Sequence, residues 1–377
     1  MRGSITFDPL FTNLPFMSLS QFLCLPMMPN AVRWLLPCLL VVEGCSSGER
    51  SAGPLPTGHY EGPITYQGTE LRAVLDLRES ATGQLEADLR FPDNQNLGFP
   101  AENLRYNAPL LRFEQQPGAA SNIVIEAIRE GDFWRGTFAT DSAQADLLLV
   151  RRGKADPPSY GTQALTIRYG SQNMRSTLRL PDDTLRKHLA VVLLPDSTTN
   201  LNRTADLLAR QGFATLITQA APATPDSAAG QMAQAALATL RATPGVDTMR
   251  VGLWLTGAKA PLVLATSTRG KVKPSFVVVQ AVPVASSETQ RFFRDLTRQR
   301  ISVLALYGAN DTTLNVREST RRLRSALGSR GSTVRLYPNA NHDLVVPGGT
   351  RADGKWEWPR PAAGYVEELL AWLRARS

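Results

Sequence analysis

The sequence predicts an α/β fold, a mostly parallel sheet with helices on both faces, preceded by a small antiparallel β barrel or sandwich. Two patterns and a length carry this expectation. From about residue 160 to the end, short continuous apolar runs alternate with amphipathic helical segments, as buried parallel strands and their covering helices do. Between 57 and 153, short stretches alternate apolar with polar residues and follow one another at roughly ten-residue spacing, the signature of an antiparallel barrel or sandwich. The chain has 377 residues, more than one hydrophobic core usually organises. It divides into a leader over 1–45, a linker over 46–56, the β domain over 57–153 and the α/β domain over 160–377.

The leader contains the short apolar run Trp34 to Val42, preceded by Arg33 and followed by Glu43-Gly44-Cys45-Ser46-Ser47. A positive residue, a brief apolar core and a small residue before the cut describe a secretory signal. The cysteine directly after Gly44 resembles a bacterial lipobox, which implies lipidation of Cys45 and a membrane-anchored lipoprotein of the cell envelope. Glu43, two before the cysteine, departs from that pattern. Soluble export, or a cytoplasmic protein with an apolar N-terminus, are the alternatives. The run is too short to span a bilayer as a helix. Residues 1–27 add a second apolar stretch with Pro9, Pro15 and Pro26 and a single basic residue, Arg2, so the expected start of translation is Met28.

All three cysteines (Cys24, Cys38 and Cys45) lie in this leader, which excludes a disulfide framework and a cysteine-based metal site from the folded part. No metal and no cofactor is expected. The net charge of +8 comes from scattered arginines, densest at Arg317, Arg321, Arg322, Arg324 and Arg330, which read as one helix with Leu323 and Leu327 on its apolar side. That face is either solvated or anchored on anionic polymers or head groups. No aromatic interleaving or nucleic-acid motif accompanies it, so nucleic acid is not an expected partner.

In the β domain, strands are expected at Leu71 to Leu77, Leu85 to Leu89, Leu110 to Phe113, Ile123 to Ile128, Phe133 to Phe138 and Leu147 to Val150, with Gly131-Asp132 as a hairpin turn. It contains His59 but no cluster that would carry chemistry, so packing or recognition is its expected role. The α/β domain opens with a strand pair (Leu165 to Ile167, Met174 to Leu180) and continues with strands at Leu189 to Leu194 and Phe213 to Ile217. The helix Leu201 to Gln211, closed by Gly212, lies between those two. An Ala-rich helix runs to Arg241, then come a strand at Val251 to Trp254 and a helix to Thr268. Ser275 to Val279 is a strand, Arg291 to Leu296 a helix, and Val303 to Tyr307 a strand. The arginine-rich helix, the strand Val334 to Tyr337 and a helix over Tyr365 to Leu373 complete the domain.

Ligands on such a sheet sit at the carboxyl ends of the strands. Strand 303–307 runs into Gly308-Ala309-Asn310-Asp311 and strand 334–337 into Pro338-Asn339-Ala340-Asn341-His342. The strand–turn–helix at Arg250 to Ala260 matches the place of a nucleophile elbow, with the acid and then the imidazole following it in chain order. In such a triad the acid orients the imidazole, which takes the nucleophile's proton. Here Leu255 and Lys259 occupy the places of the flanking glycines, and Gly257 that of the nucleophile. If the turn came one residue earlier, Thr256 would be the alternative nucleophile, with the bulky Trp254 in a place that wants a small residue.

On these residues, with Leu178-Arg179-Leu180-Pro181, the segment Val303 to Asp311 and the segment Asn339 to His342 as the best matches, residues 161–377 resemble an α/β-hydrolase of the dienelactone-hydrolase or prolyl-oligopeptidase-like group. Exported members often carry a small β domain ahead of the hydrolase, similar to 57–153. The resemblance implies a Gly-Ser-Gly-like oxyanion turn after Leu194, and this chain has Pro195-Asp196-Ser197-Thr198, an acid where negative charge would develop. It implies an Asp-x-Arg-Gly-like turn after 213–217, replaced here by Gln219-Ala220-Ala221-Pro222. The cap insertion has shrunk to a piece around Ser286 to Arg300. With Asp311 and His342 kept and the serine replaced by Gly257, the expected function is a non-catalytic binding or scaffold protein with an unidentified small-molecule or acyl ligand. The alternative is an active ester or acyl hydrolase using Thr256, Ser197 or a His342-activated water. Asp196, Ser197 and Ala258 form the expected oxyanion region, and Lys259, beside the helix N-terminus, either binds an anion or points into solvent.

Overall fold

The computed structural model describes residues 54–94, 98–115, 117, 122–140, 143–196, 201–218, 226–328 and 331–376. Cys45 and the whole leader, Ser197, Gln219 to Pro222 and Arg330 lie outside the described residues. Among the described residues no helix is long and apolar enough to cross a membrane.

The first sheet has nine antiparallel strands: β1 (Gly58–Tyr66), β2 (Thr69–Glu79), β3 (Leu85–Arg90), β4 (Phe99–Pro100), β5 (Glu102–Asn107), β6 (Leu110–Glu114), β7 (Val124–Glu130), β8 (Phe133–Ala139) and β9 (Gln144–Gly153). Their order is β4-β3-β2-β1-β9-β8-β7-β6-β5, so the two edge strands are consecutive in sequence. Only Ala101 joins them, and its amide bonds back to the Ala87 carbonyl. The sheet is therefore a nearly closed barrel with its seam at Ala101. Its interior is filled by Tyr60, Leu75, Phe91, Phe113, Trp134, Leu149 and their neighbours, all buried. The alternation of buried and exposed positions along β7 (Ile125, Ala127 in; Glu126, Ile128 out) is the period of two that marked these strands in the sequence.

Three strands of this sheet, β1, β4 and β5, were not expected. The glycine and proline of β1 (Gly58, Gly62, Pro63) read as breakers, yet a Cβ on Gly62 would lie 2.0 Å from the Leu148 carbonyl oxygen. Glycine is there because strand β9 approaches too closely for a side chain. Strand β5 carries polar residues on an edge and lacks an apolar signal.

The second sheet is built from β10 (Tyr160–Tyr169), β11 (Gln172–Pro181), β12 (His188–Leu194), β13 (Ala214–Thr218), β14 (Val246–Thr256), β15 (Phe276–Gln280), β16 (Ser302–Gly308) and β17 (Thr333–Tyr337). Its order is β10-β11-β13-β12-β14-β15-β16-β17. The pairs β10–β11 and β11–β13 are antiparallel and every later pair is parallel. The helices are α1 (Asn202–Arg210), α2 (Asp226–Ala242), α3 (Ala260–Arg269), α4 (Ser287–Arg298), α5 (Val316–Leu327) and α6 (Tyr365–Arg374). One face buries α2 to α5 against strand residues such as Leu253, Val277 and Val303; the other buries α1 and α6 against Val191, Trp254 and Leu306. Consecutive residues of the central strands thus face different cores, which is why they read as unbroken apolar runs. The arginine-rich helix α5 ends at Leu327, where Gly328 turns to φ +60, so it stops short of Arg330. That corrects the expectation of one helix carrying all five arginines.

Residues 52–377 form one compact unit containing both sheets. Arg210 of α1 donates to Asp206 Oδ2 at 2.9 Å and to Asp88 Oδ1 of β3 at 2.7 Å, while the Tyr160 hydroxyl donates to Asp206 Oδ1. Desolvation dominates at Asp88, whose carboxyl is held above the usual range although Arg210 opposes the shift. A second tie comes from the segment after β17, which forms the short strands β18 (Val345–Val346), β19 (Gly349–Thr350), β20 (Trp356–Glu357) and β21 (Arg360–Pro361). It lays Trp358 edge-on against Phe138 and Trp356 against Tyr66, and Asn94 Nδ2 donates to the Pro359 carbonyl at 2.6 Å. Its prolines and two-residue strands gave no periodic signal in the sequence.

Candidate functional site

Strand β14 stays extended through Thr256, and the left-handed backbone comes at Gly257, with φ +69. The turn therefore falls one residue after Thr256. That threonine is the last residue of the strand, buried, with its Oγ1 accepting the Asp196 amide at 2.8 Å. Ala258 and Lys259 are exposed in the turn, and α3 follows from Ala260, with Pro261 in its first turn. A left-handed residue is where glycine is favoured and any side chain is strained.

The space above Gly257 is occupied. An ideal Cβ on Gly257 would lie 1.7 Å from Oδ2 and 2.7 Å from Cγ of Asp196. The Asp196 carboxylate therefore fills the volume from which an elbow nucleophile's side chain would project. The sequence placed Asp196 in the oxyanion region. The structure places its side chain one step further, over the nucleophile position itself.

Asp311 and His342 come together at the ends of β16 and β17. His342 Nδ1 lies 2.9 Å from Asp311 Oδ2, and the Asp311 side chain is fully buried. The carboxylate faces Nδ1, which assigns the proton to that nitrogen and leaves Nε2 as the acceptor of the neutral ring. Thr313 completes the arrangement: its amide and its Oγ1 both donate to Asp311 Oδ1, at 2.8 and 2.7 Å, and its Oγ1 also lies 3.0 Å from His342 Nδ1. Gln280, at the end of β15, donates to the His342 carbonyl at 3.1 Å. The two loops meet because of Gly308, where a Cβ would stand 2.1 Å from the Asn341 carbonyl oxygen and 2.4 Å from that of Ala340. Asn341 Oδ1 then accepts the amides of Asp343 and Val345, which pins the histidine loop. Beneath the pair, Tyr307 donates to the Val282 carbonyl at 2.6 Å; burial, and then the nearby Asp311 charge, push its phenol well above the ordinary range, so it stays a neutral donor.

Thr313 and Gln280 were missed in the sequence. Gln280 had a signal, a polar residue ending the buried run Phe276 to Val279 at the carboxyl end of a parallel strand. Thr313 had one too, a hydroxyl two residues past an aspartate at a turn, where it closes a local hydrogen-bonded loop. Among the described residues the one His/Asp/Glu cluster close enough to hold a cation is His59, Asp76 and Asp156, in the barrel and the segment after it. Arg90 is ion-paired to both of those aspartates, so the positive charge there is already supplied by the protein.

No protein-family model matches the chain, and no curated protein matches it by sequence. Among solved structures it is similar to a dienelactone hydrolase of Anabaena variabilis, at 14% identity, covering 58% of this chain and 98% of that one with a TM-score of 0.44. It is also similar to an α/β hydrolase enzyme from a Medee basin deep-sea metagenome library, at 13% identity, 58% and 99% coverage and a TM-score of 0.43. A dienelactone hydrolase-like promiscuous phosphotriesterase from metagenomic libraries matches at 17% identity, 58% and 98% coverage and a TM-score of 0.42. The eight-stranded sheet, antiparallel only at its opening strands, and the left-handed turn between β14 and α3 show the architecture to which Asp311 and His342 belong. Residues 160–376 have the α/β-hydrolase fold.

Proposed function

We propose that this protein is an exported lipoprotein of the bacterial cell envelope, anchored through Cys45, whose α/β-hydrolase site no longer turns over acyl substrates and serves binding or scaffolding instead. The observation that carries this reading is the Asp196 carboxylate in the volume above Gly257. An acyl-transfer site needs a nucleophile at that point and hydrogen-bond donors aimed at a developing oxyanion beside it. This chain offers glycine at the first position and puts a carboxylate against it. At roughly 4 Å, like charges repel by about 1–4 kcal/mol for effective dielectrics between bulk water and a protein surface, which opposes the transition state such a site would have to stabilise. Glycine at φ +69 also relaxes the strain of about 1–3 kcal/mol that a side-chain-bearing elbow stores.

A second reading, an ester or acyl hydrolase using Thr256, Ser197 or a water activated by His342, is favoured by one observation: the Asp311–His342 hydrogen bond and its Thr313 support are intact. Incubation with an active-site-directed fluorophosphonate and peptide mapping separates the two. The proposal expects no adduct. An adduct on Thr256 or Ser197 that disappears in His342→Ala establishes the hydrolase instead.

A further inference from the structure

The barrel's seam, at Ala101 and Glu102, faces the β10–β11 hairpin across a cleft of about 610 Å³. That size suits a small molecule, since ligand pockets run from about 300 to 1,000 Å³. At its base lies Arg179, 5% exposed, on β11 between Thr162 of β10 and Thr215 of β13. Among the described residues its Nε and Nη1 have no hydrogen-bond partner. The carboxylate of the described residues that acts on Arg179 is Glu102 in the same cleft, through space and without a hydrogen bond between them.

A guanidinium cannot relieve its own burial by losing a proton. Buried charges are ordinarily paired, and each unpaired donor left in a protein interior is unfavourable. Arg210, between the two sheets, keeps this rule and is satisfied by Asp88 and Asp206. Arg179 has only the through-space attraction of Glu102, with no carboxylate on its Nε and Nη1, and opens onto a cleft that solutes can enter. Arg175 and Glu102, both exposed, also line it, so the three charges leave the cleft with one net positive charge. The planar fork of an arginine matches two oxygens of an oxyanion, and charge-assisted bonds of that kind are the strong ones.

We propose that this cleft is a ligand site that takes the oxyanion group of a small organic acid, a carboxylate or a phosphate monoester, on the unpartnered nitrogens of Arg179. The site is separate from Gly257 and His342, and its occupancy does not depend on whether those residues hydrolyse esters.

Isothermal titration of the purified full chain with inorganic phosphate, and separately with benzoate, at ionic strength matched with sodium chloride, tests it. Saturable binding of phosphate identifies a phosphate monoester as the ligand class, and binding of benzoate alone a carboxylate. Arg179→Met is expected to weaken that binding by at least about tenfold, the worth of one charge-assisted hydrogen bond. Thr166→Trp, an exposed lining position whose ring fills the cleft without touching the buried hairpin face, is expected to do the same and decides the matter if Arg179→Met does not fold. Absence of saturable binding by either probe, or binding that survives Thr166→Trp unchanged, overturns the proposal.

Discussion

Replacing Gly257 with serine, the change that would restore a triad on paper, should destabilise the protein, and less so when Asp196 is removed as well. The new Cβ would stand 1.7 Å from Asp196 Oδ2, at a residue whose φ is +69. A side-chain-bearing residue in the left-handed region costs roughly 1–2 kcal/mol relative to glycine. The clashing atom is the far end of the half-exposed Asp196 side chain, so turning it aside adds only roughly 0.5–1.5 kcal/mol, the cost of an off-rotamer side chain. The single variant should therefore lose about 1.5–3.5 kcal/mol, a sizeable part of the ~5–15 kcal/mol that holds a typical domain together. In Asp196→Gly/Gly257→Ser the collision is gone while the Asp196 amide that bonds Thr256 remains, so only the backbone strain persists. Urea unfolding of the parent, both single variants and the double variant closes a thermodynamic cycle, with an expected coupling of roughly 0.5–1.5 kcal/mol in favour of the double variant. Strict additivity would refute the claim that Asp196 fills the nucleophile's place.

The contact between the sheets gives two more expectations. Arg210→Met leaves Asp88 and Asp206 buried without their cation and should cost about 3–5 kcal/mol. Its deficit should shrink as pH falls, because the two carboxyls can then take up protons. Tyr160→Phe, which removes the donor to Asp206, should cost roughly 1.5–3 kcal/mol in the same unfolding assay. In the barrel, burial works against protonation of His59, but Asp76 and then Glu61 outweigh it and raise its pKa above 6.5. A raised folded value means the contribution is fully present below pH 6.5 and lost as pH rises through the folded pKa. The parent's thermal midpoint should thus fall more steeply above pH 6.5 than that of His59→Gln, and equal slopes would contradict it. Metabolic labelling with palmitate in a bacterial host should mark the parent and not Cys45→Ser; equal labelling would sink the lipid anchor.

The parallel sheet was legible because its strands are buried on both faces. Val191, Leu253, Val277 and Leu304 sit in runs with no polar interruption, and the helices between them carry plain apolar stripes. Asp311 and His342 were legible for a related reason: a parallel strand's end fixes where the next residues project, so two strand ends bring two distant residues to one place. What the sequence hid was decided by close approach between backbones. Gly62 interrupts a strand and Gly308 opens the loop to Asp311, and only the neighbouring carbonyls of Leu148 and of Ala340 and Asn341 show why no side chain fits. Asp196 was legible as an acid out of place, but nothing local told that its carboxylate would lie over Gly257. The segment 345–361 was illegible altogether, because its partners, such as Gln67, Phe138 and Asn94, lie more than two hundred residues away.

The most direct measurement of the central claim is p-nitrophenyl acetate and butyrate hydrolysis by the purified protein as the parent, His342→Ala and Asp196→Gly/Gly257→Ser. The account predicts a parent indistinguishable from His342→Ala and from buffer, with hydrolysis appearing only when the serine is restored and the carboxylate removed together. Parent activity that His342→Ala abolishes would contradict it, and would make this a working hydrolase with a relocated nucleophile or an activated water.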